Sequence, residues 1–280
     1  MLKEGYSAVT AAVAETLDIR LCTEVKTVRL DSRRRRVLVT ATFEADFCVV
    51  TLPLGLLQAR RGGVVFEPEL PEAKRRSIAR LGFGLLNKVA LLFPHVFWDQ
   101  LDFIGHVSEE RGNWPLFADL SRMTGQPILL AMTGGAAAAE QERRPDTDTV
   151  ASLMAVIRKI YRGAPAPLRS EVTRWRSDRY SRGTFSYLPP GACAADYEEM
   201  AAPVCDGGGV PRLLFAGEAT TKHHPSTVHG AWLSGVREAN RLDLLLRPRI
   251  ARERKRGRNG GRGPKEVFSP DILYQTSVVY

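Results

Sequence analysis

The chain has 280 residues, of which 44% are hydrophobic and 25% charged, enough to bury the core of one large domain or two smaller ones. Its net charge of +9 is concentrated in segment 247–280, which holds nine Lys/Arg and three Asp/Glu, so the basic character belongs mainly to a tail. No apolar run reaches the roughly eighteen residues of a membrane span, and the first residues lack the apolar core of a secretory signal; we expect neither membrane association nor export.

The first predicted elements are a helix and a series of short strands. Ala-rich Ser7–Leu17 has apolar residues at helical spacing and predicts a helix. Short β-like runs follow at Ile19–Cys22, Val25–Leu30 and Val37–Phe43, and the Arg33–Arg36 cluster between the last two predicts a solvated hairpin turn.

Longer elements follow along the rest of the chain. Continuous apolar runs predict buried strands at Phe47–Leu52, Lys88–Phe93, Ile128–Thr133 and Leu213–Phe215. Amphipathic patterns predict helices at Leu70–Leu81, 148–162 and Val228–Leu246. Residues 164–211 are rich in Pro, Gly and aromatics and predict ordered loop with short strands. This alternation predicts an α/β or α+β fold with a mixed sheet.

The cysteines and histidines do not predict a metal site. None of the four cysteines belongs to a CxxC pair, and no histidine stands at ligand spacing from them. The HHxxxxH group spanning His223–His229 lacks further ligands. Cys22 and Cys48 lie in apolar, strand-like runs and are expected to be buried thiols in a reducing compartment.

The clearest chemical pattern is the strand–loop–helix that begins at Leu213. Gly217 ends a buried strand and allows close backbone approach, and Glu218 follows at the carboxyl end of that strand, where ligands of α/β sheets bind. Ser226 and Thr227 then begin a helix, whose free N–H groups favour an anion. A carboxylate beside a helix N-terminus suits a ligand with hydroxyls and a negative edge; a well-capped strand–loop–helix without a ligand is the alternative.

The same segment resembles a known family. FAGE, followed about ten residues later by TVHGA-x-LSG-x-REA, resembles the C-terminal FAD signature of flavin amine oxidases, and within them most of all the lysine-specific histone demethylases. The resemblance continues in order over residues 5–245, through GYS near the start, TLPLGLL at Thr51–Leu57, GFG-x-LNKV at Gly82–Val89, Phe97–Trp98, and RWR-x-D-x-x-x-RG-x-x-SY at Arg174–Tyr187.

The resemblance implies roles for individual residues. It assigns FAD contacts to Gly217, Glu218, Thr227, Val228, Val25 and Pro53. Glu218 would contact the ribityl chain or the pyrophosphate, and Thr227 and Val228 the flavin pyrimidine. Val25 and Pro53 would lie near the adenine. It implies that Lys88 is the lysine that holds a water against flavin N5; an edge lysine with its amine in solvent is the alternative.

Four aromatic residues fall in the matching substrate region. The resemblance implies that these side chains surround the substrate amine: Trp175, Tyr180, Phe185 and Tyr187. Phe185 stands where close relatives often carry Tyr, so a ring face is kept and a hydroxyl is lost. A cluster of this kind is otherwise more often part of a core.

The family's reaction and architecture set the remaining expectations. The reaction is hydride transfer from the carbon next to an amine to flavin N5, with dioxygen as the final acceptor and hydrogen peroxide as product. The family's N-terminal GxGxxG unit has no counterpart here. We expect part of the FAD lobe in residues 1–52, a substrate lobe in 53–210, the last strand and helix of the FAD lobe in 211–246, and a disordered basic tail in 247–280. We also expect an open apolar face where the absent half of the fold would sit.

Three functions stay open from the sequence. The first is oxidation of methyl-lysine in a histone-tail peptide, in the nucleus; the second is oxidation of a polyamine, with a cytoplasmic location as the alternative. The third is an inactive chromatin or nucleic-acid interaction module that binds phosphates through the basic tail.

Overall fold

The computed structural model describes residues 5–40, 42–108, 111–259 and 273–275. The helices are α1 (Tyr6–Ala14), α2 (Leu54–Leu57), α3 (Glu72–Arg80), α4 (Ser121–Thr124), α5 (Gly135–Gln141), α6 (Asp146–Ile160), α7 (Ala194–Ala201) and α8 (Val228–Asn259), with a 3₁₀ turn at Glu218–Thr220. The strands are β1 (Thr27–Asp31), β2 (Arg36–Val39), β3 (Phe43–Ala45), β4 (Cys48–Val50), β5 (Val65–Glu67), β6 (Gly82–Phe83), β7 (Leu86–Leu92), β8 (Phe103–Gly105), β9 (Leu116–Asp119), β10 (Ile128–Gly134), β11 (Arg169–Val172), β12 (Ser186–Tyr187), β13 (Val204–Cys205), β14 (Pro211–Phe215) and β15 (Leu273–Gln275).

The chain forms two compact units. The first contains Phe83–Thr184 and the N-terminal segment up to Leu17. Its antiparallel sheet has the order β11-β7-β10-β9-β8. Alternate residues of β7 and β10 are buried, as the period of a strand requires, and they share a core with the apolar face of α6, where Leu153 and Ile157 are almost fully buried.

The second unit contains Asp18–Gly82 and the chain from Phe185 onward. One sheet has the order β3-β2-β1-β5, in which β1 and β5 run parallel. The other has the order β13-β14-β4-β15. There β14 and β15 flank β4, both parallel to it, and Val49, Leu214 and Leu242 contribute to one small core.

Most predicted elements are present, and the predicted mixed α/β class is confirmed. The hairpin turn at Arg33–Arg36 joins antiparallel β1 and β2. The strand predicted at Ile19–Cys22 is wrong: this segment is turn and coil, and Cys22 is exposed rather than buried. Within the part of the chain that the structure describes, no strand pairs with it. Cys48 is buried as predicted.

The C-terminal half departs further from the sequence predictions. Helix α7 lies inside the segment predicted as loop. Helix α8 continues past Leu246 to Asn259 instead of becoming disordered at Arg247. This run is rich in Arg, which has a high helix propensity. The rest of the basic tail, 260–272 and 276–280, lies outside the described residues. The lobe boundaries expected at 52/53 and 210/211 stay predictions.

Candidate functional site

Gly217 follows the carboxyl end of β14 in an open position. Strands β14 and β4 end side by side, with Phe215 opposite Val50. Gly217 has φ of 128°, and a Cβ placed on it would meet no atom within 4 Å. Its N–H donates to the Ser234 hydroxyl on α8 at 2.7 Å. The backbone is therefore held in place while one side of it stays free for a ligand to approach.

Glu218 ties two loops of the second unit together. Its carboxylate accepts hydrogen bonds from the Ser186 hydroxyl at 2.6 Å, the Ser186 N–H at 3.1 Å and the Ser226 N–H at 2.8 Å. Ser226 has a left-handed φ of 63° and donates its hydroxyl to the Ser186 carbonyl. These hydrogen bonds fix the loop that leads into α8, and they do so without any contact between Glu218 and a ligand.

Helix α8 begins with a side-chain cap and free backbone donors. The Thr227 hydroxyl accepts the Gly230 N–H at 3.0 Å and donates to the His224 carbonyl at 2.8 Å. The N–H groups of Val228 and His229, in the first turn, have no acceptor within the helix. The positive end of the helix dipole therefore favours a negatively charged group in front of the N-terminus of α8.

Arg237, to which the sequence analysis gave no role, clamps the same region from inside α8. Its guanidinium donates to the carbonyls of Phe215 and Thr220, each at 2.7 Å, and pairs with the buried Glu238 at 2.6 Å. The strand end and the 3₁₀ turn after it are therefore fixed to the helix. The REA triplet of the FAD-signature motif is the sequence signal that could have identified it.

Pro53 and Val25 also belong to the second unit. Pro53 lies just after β4 and caps α2, so it lies at the same sheet edge as Gly217. Val25 is half-buried just before β1. All six predicted cofactor contacts thus lie in one unit, and two of them follow neighbouring strand ends.

Lys88 lies in the middle of β7 in the first unit. Strand β7 is paired on both sides, with Met132 of β10 opposite Lys88 and β11 on the other edge, so the alternative of an edge lysine does not hold. The amine makes no hydrogen bond or ion pair with any residue in the described part of the chain, and burial lowers its pKa. Lys88 is therefore a half-buried amine without a protein partner, on the strand face opposite Val89 and Leu91.

A buried network holds the segment that carries Trp175. Asn87, fully buried, accepts the Trp175 N–H at 3.2 Å and donates to Glu142 at 2.8 Å. Glu142 also accepts hydrogen bonds from the N–H groups of Arg176 and Ser177, at 2.9 and 2.8 Å. Burial opposes ionisation of Glu142, but the hydrogen bonds from Ser177, Asn87 and Arg176 outweigh it and lower the pKa.

The four predicted aromatics divide between the units. Trp175 and Tyr180 belong to the first unit; the indole N–H of Trp175 is buried without a hydrogen-bond partner. Phe185 and Tyr187 belong to the second unit. The Tyr187 ring lies against Gly82, where a Cβ would come within 2.4 Å of the ring, so a larger residue at this position would displace the ring. An aromatic cage made by all four stays a prediction.

The structure adds two observations about metals and membranes. No group of three or more His, Cys, Asp or Glu side chains among the described residues could hold a metal ion; His224 and His229 contact each other edge to face at 4.8 Å. Within the same residues, no helix combines the length and apolarity that crossing a bilayer requires.

Parallel strands that end at an open glycine, followed by an acid and a capped helix N-terminus, define a cofactor-binding α/β protein. The flavin containing amine oxidoreductase family model matches residues 1–243. The chain belongs to this family, which confirms the predicted resemblance and FAD as the family's cofactor.

The chain is similar in sequence to proteins named as lysine-specific histone demethylases. Lysine-specific histone demethylase 1 homolog 3 of Oryza sativa subsp. indica is 43% identical over 263 residues, which cover 90% of this chain and 32% of the relative. A possible lysine-specific histone demethylase 1 of Drosophila melanogaster is 40% identical, over 86% of this chain and 30% of its own length. The chain therefore spans about a third of the length of these relatives.

A solved structure shares the fold. Wild-type putrescine oxidase bound to putrescine superposes with a TM-score of 0.69 at 20% identity, over 85% of this chain and 52% of the other. At this identity the likeness shows the fold alone, and it agrees with the predicted fold of an FAD-linked amine oxidase.

Proposed function

We propose that this chain is the substrate-side and C-terminal FAD-side portion of an FAD-dependent amine oxidase. The observation that carries the proposal is the open sheet edge of the second unit. There Gly217 is hydrogen-bonded to Ser234 of α8, and Glu218 holds the N–H of Ser226, two residues before the helix whose first-turn N–H groups are free. The family match supports the same conclusion.

The residues of this edge fit FAD. Open space beside Gly217 lets a ligand approach the backbone closely. The N–H groups of Val228 and His229 are donors for an anionic or carbonyl edge, and Pro53 lies at the adjoining strand end. Glu218 uses its carboxylate to fix the 186 and 226 loops, so its main contribution is to position the helix start, with any ribityl contact added to that.

When bound, FAD supplies the hydride acceptor for oxidation of the carbon next to the amine. The half-buried Lys88 amine has its donors free of protein partners and its pKa lowered, so it is suited to hold a water molecule. The Asn87–Glu142 network fixes the backbone of Trp175, and an aromatic held in this way orients an amine and excludes water.

The substrate proposed is methyl-lysine in a histone-tail peptide, and the proposed location is the nucleus. Relatives named as lysine-specific histone demethylases, at 40–43% identity, support both. Oxidation of a polyamine is the second candidate, favoured by the name of the putrescine oxidase neighbours. Phosphate binding by the basic segment 247–280 stays a prediction.

FAD titration of the purified 280-residue chain, followed by anaerobic addition of an amine, tests the proposal. Val228→Glu puts a negative charge at the start of α8, which favours the helix but repels an anion; we expect FAD affinity to fall by at least about tenfold. Val236→Glu, two turns further along the same exposed face, is the matched control and should bind FAD like the wild type.

The amine additions separate the substrates. Bleaching of the bound flavin by a dimethyl-lysine histone peptide, but not by putrescine, is the expected result. The reverse preference would move the assignment to a polyamine oxidase. Unchanged FAD affinity in Val228→Glu would contradict the proposed flavin site, and bound flavin that no amine bleaches would contradict the oxidase activity.

A further inference from the structure

The first unit contains a cavity that neither Lys88 nor Trp175 lines. It has a volume of about 290 Å³ and lies between the end of α5, the start of α6 and the segment that leads to β9. The residues on which the argument rests are Arg111, Thr133, Glu140, Gln141, Arg144 and Thr149. This volume is at the small end for ligand pockets, about 300 Å³, so it suits a small molecule rather than a dinucleotide.

Two buried polar side chains line the cavity without hydrogen-bond partners. Gln141 is 6% exposed, and both its amide nitrogen and its amide oxygen lack a partner. Thr149 is 2% exposed, and its hydroxyl also lacks one. Thr133, which also lines the cavity, has a partner, because its hydroxyl donates to the Gly112 carbonyl at 2.8 Å.

These unpaired groups require a polar occupant. A buried donor or acceptor without a partner costs about 1–3 kcal/mol, and native structures rarely keep such groups unmatched. Three unmatched atoms on two neighbouring side chains, all lining one cavity, therefore indicate that something polar fills it. Gln141 offers one donor and one acceptor function, and Thr149 offers a hydroxyl that serves as either.

The charged side chains that line the cavity favour an anionic ligand. Arg111 is exposed and forms no ion pair with any residue that the structure describes. Arg144 is paired only with Glu140, at 3.7 Å, with half of its side chain exposed, and Glu140 is shared with Arg143 at 3.1 Å. One guanidinium is thus left without a carboxylate, and guanidinium groups bind carboxylate and phosphate oxygens.

We propose that this cavity binds a small hydroxylated oxyanion, with the anionic group at Arg111 and the hydroxyl at Gln141 and Thr149. A hydroxy-carboxylate and a phosphate ester of a small alcohol share this chemistry. Several water molecules, at about 30 Å³ each, are the competing occupant.

Calorimetric titration of the full chain with malate and with glycerol 3-phosphate tests the proposal and distinguishes the two sources. We expect one of them to bind, and Gln141→Leu and Thr149→Val each to weaken that binding about tenfold, since each leaves a ligand polar group unpaired. Arg111→Ala, at an exposed position that should not affect folding, is expected to weaken it as well.

The control variants lie in a shallow groove elsewhere in the first unit. Arg122 and Gln126 line that groove, and Arg122→Ala and Gln126→Leu should bind like the wild type. Failure of both compounds to bind would overturn the proposal in favour of water as the occupant. Binding that Arg111→Ala and Gln141→Leu leave unchanged would overturn it by placing the anion elsewhere.

Discussion

Gly230 occupies a position in the first turn of α8 that leaves no room for a side chain. A Cβ there would lie 1.9 Å from the His224 carbonyl oxygen and 2.8 Å from the Thr227 hydroxyl, and that pair caps the helix. Gly230→Ala must displace the cap, so we expect a loss of about 1–3 kcal/mol of unfolding free energy, as for other overpacked sites, measured by urea denaturation.

Gly235 in the same helix is the control for Gly230. A Cβ at Gly235 would meet nothing within 4 Å, so Gly235→Ala should stabilise the chain by up to about 1 kcal/mol through helix propensity. Equal effects of the two substitutions would show that the contact between the loop and the helix start is absent in solution.

Lys74 is a buried charge that should make stability depend on pH. Its amine donates to the carbonyls of Glu199 and Met200 at 2.5 and 2.9 Å, and lies 4.2 Å from the Phe215 ring centroid. Burial lowers its pKa from 10.5 to about 8. Between these values the unfolded chain binds more protons than the folded one, so the unfolding free energy rises with pH.

Lys74→Met should remove this rise. In the wild type, denaturation at a series of pH values between 8 and 10 should show a slope of at most about 1.4 kcal/mol per pH unit from this residue. The difference between wild type and variant isolates the contribution of Lys74 from that of all other groups. Lys159→Met, at an exposed position, should leave the slope unchanged; a slope retained in Lys74→Met would mean that the amine is not buried.

At the scale of elements, one carboxylate joins α3 to α7. Asp196 accepts hydrogen bonds from Arg80, from the Ser77 hydroxyl at 2.8 Å and from the Cys193 N–H at 3.0 Å. The Arg80 hydrogen bond is the main cause that lowers its pKa from 3.8 to about 2, against the effect of burial. The stabilisation is therefore fully present above about pH 4 and is lost as the pH falls through about 2.

Asp196→Asn should reveal this contribution. We expect a loss of about 1–3 kcal/mol at neutral pH, because the Arg80 guanidinium loses its charged acceptor. The difference from the wild type should shrink as the pH approaches 2. Asp243→Asn breaks only an exposed pair with Arg247 and should change stability by less than about 1 kcal/mol. A pH-independent effect of Asp196→Asn would contradict the lowered pKa.

The sequence predicted elements where one local rule decided the structure. Strands β4, β7, β10 and β14 are apolar runs bounded by Pro, Gly or charged residues, and their burial follows from composition. Ile19–Cys22 is also a short β-like run, but no strand among the described residues pairs with it, and pairing is not a local property. Helix α7 was missed because Pro and Gly surround it, although its first turn is held by the Asp196 carboxylate.

The candidate site divides in the same way. Gly217 and the start of α8 are predictable because ligands bind at strand ends and helix N-termini. The Asn87–Glu142 hydrogen bond spans 55 residues, and the cavity beside Gln141 is formed by separate segments of residues 111–152. No spacing rule indicates either of them, since both depend on how the sheet and helices pack.

At the scale of the whole molecule, the first turns of α8 expose an apolar row, whereas Leu242 further along the same helix is buried in the core. Its buried face contains Ser234 and Glu238, whereas Val228, Trp232 and Val236, four residues apart, are 54%, 57% and 43% exposed. We name these three residues the α8 stripe. An exposed apolar row on a helix indicates an interaction surface, and this row is the candidate for the open apolar face expected from the sequence.

We predict that the α8 stripe packs against the GxGxxG-bearing segment of the family. The chain shows no counterpart of that segment, and it spans about a third of the length of its relatives.

Trp98 and Trp114 are buried and Trp175 is half-buried, so Trp232 is the tryptophan that should report docking. Adding the remaining FAD-lobe segment of the Oryza sativa relative should shift tryptophan emission to shorter wavelength as Trp232 leaves water. Trp232→Phe should abolish the shift, while sedimentation should still detect the complex. Leu244→Ser changes an exposed residue beyond the stripe and should preserve both the shift and the complex. A wild-type complex that forms without any shift would place the docking surface elsewhere than on α8.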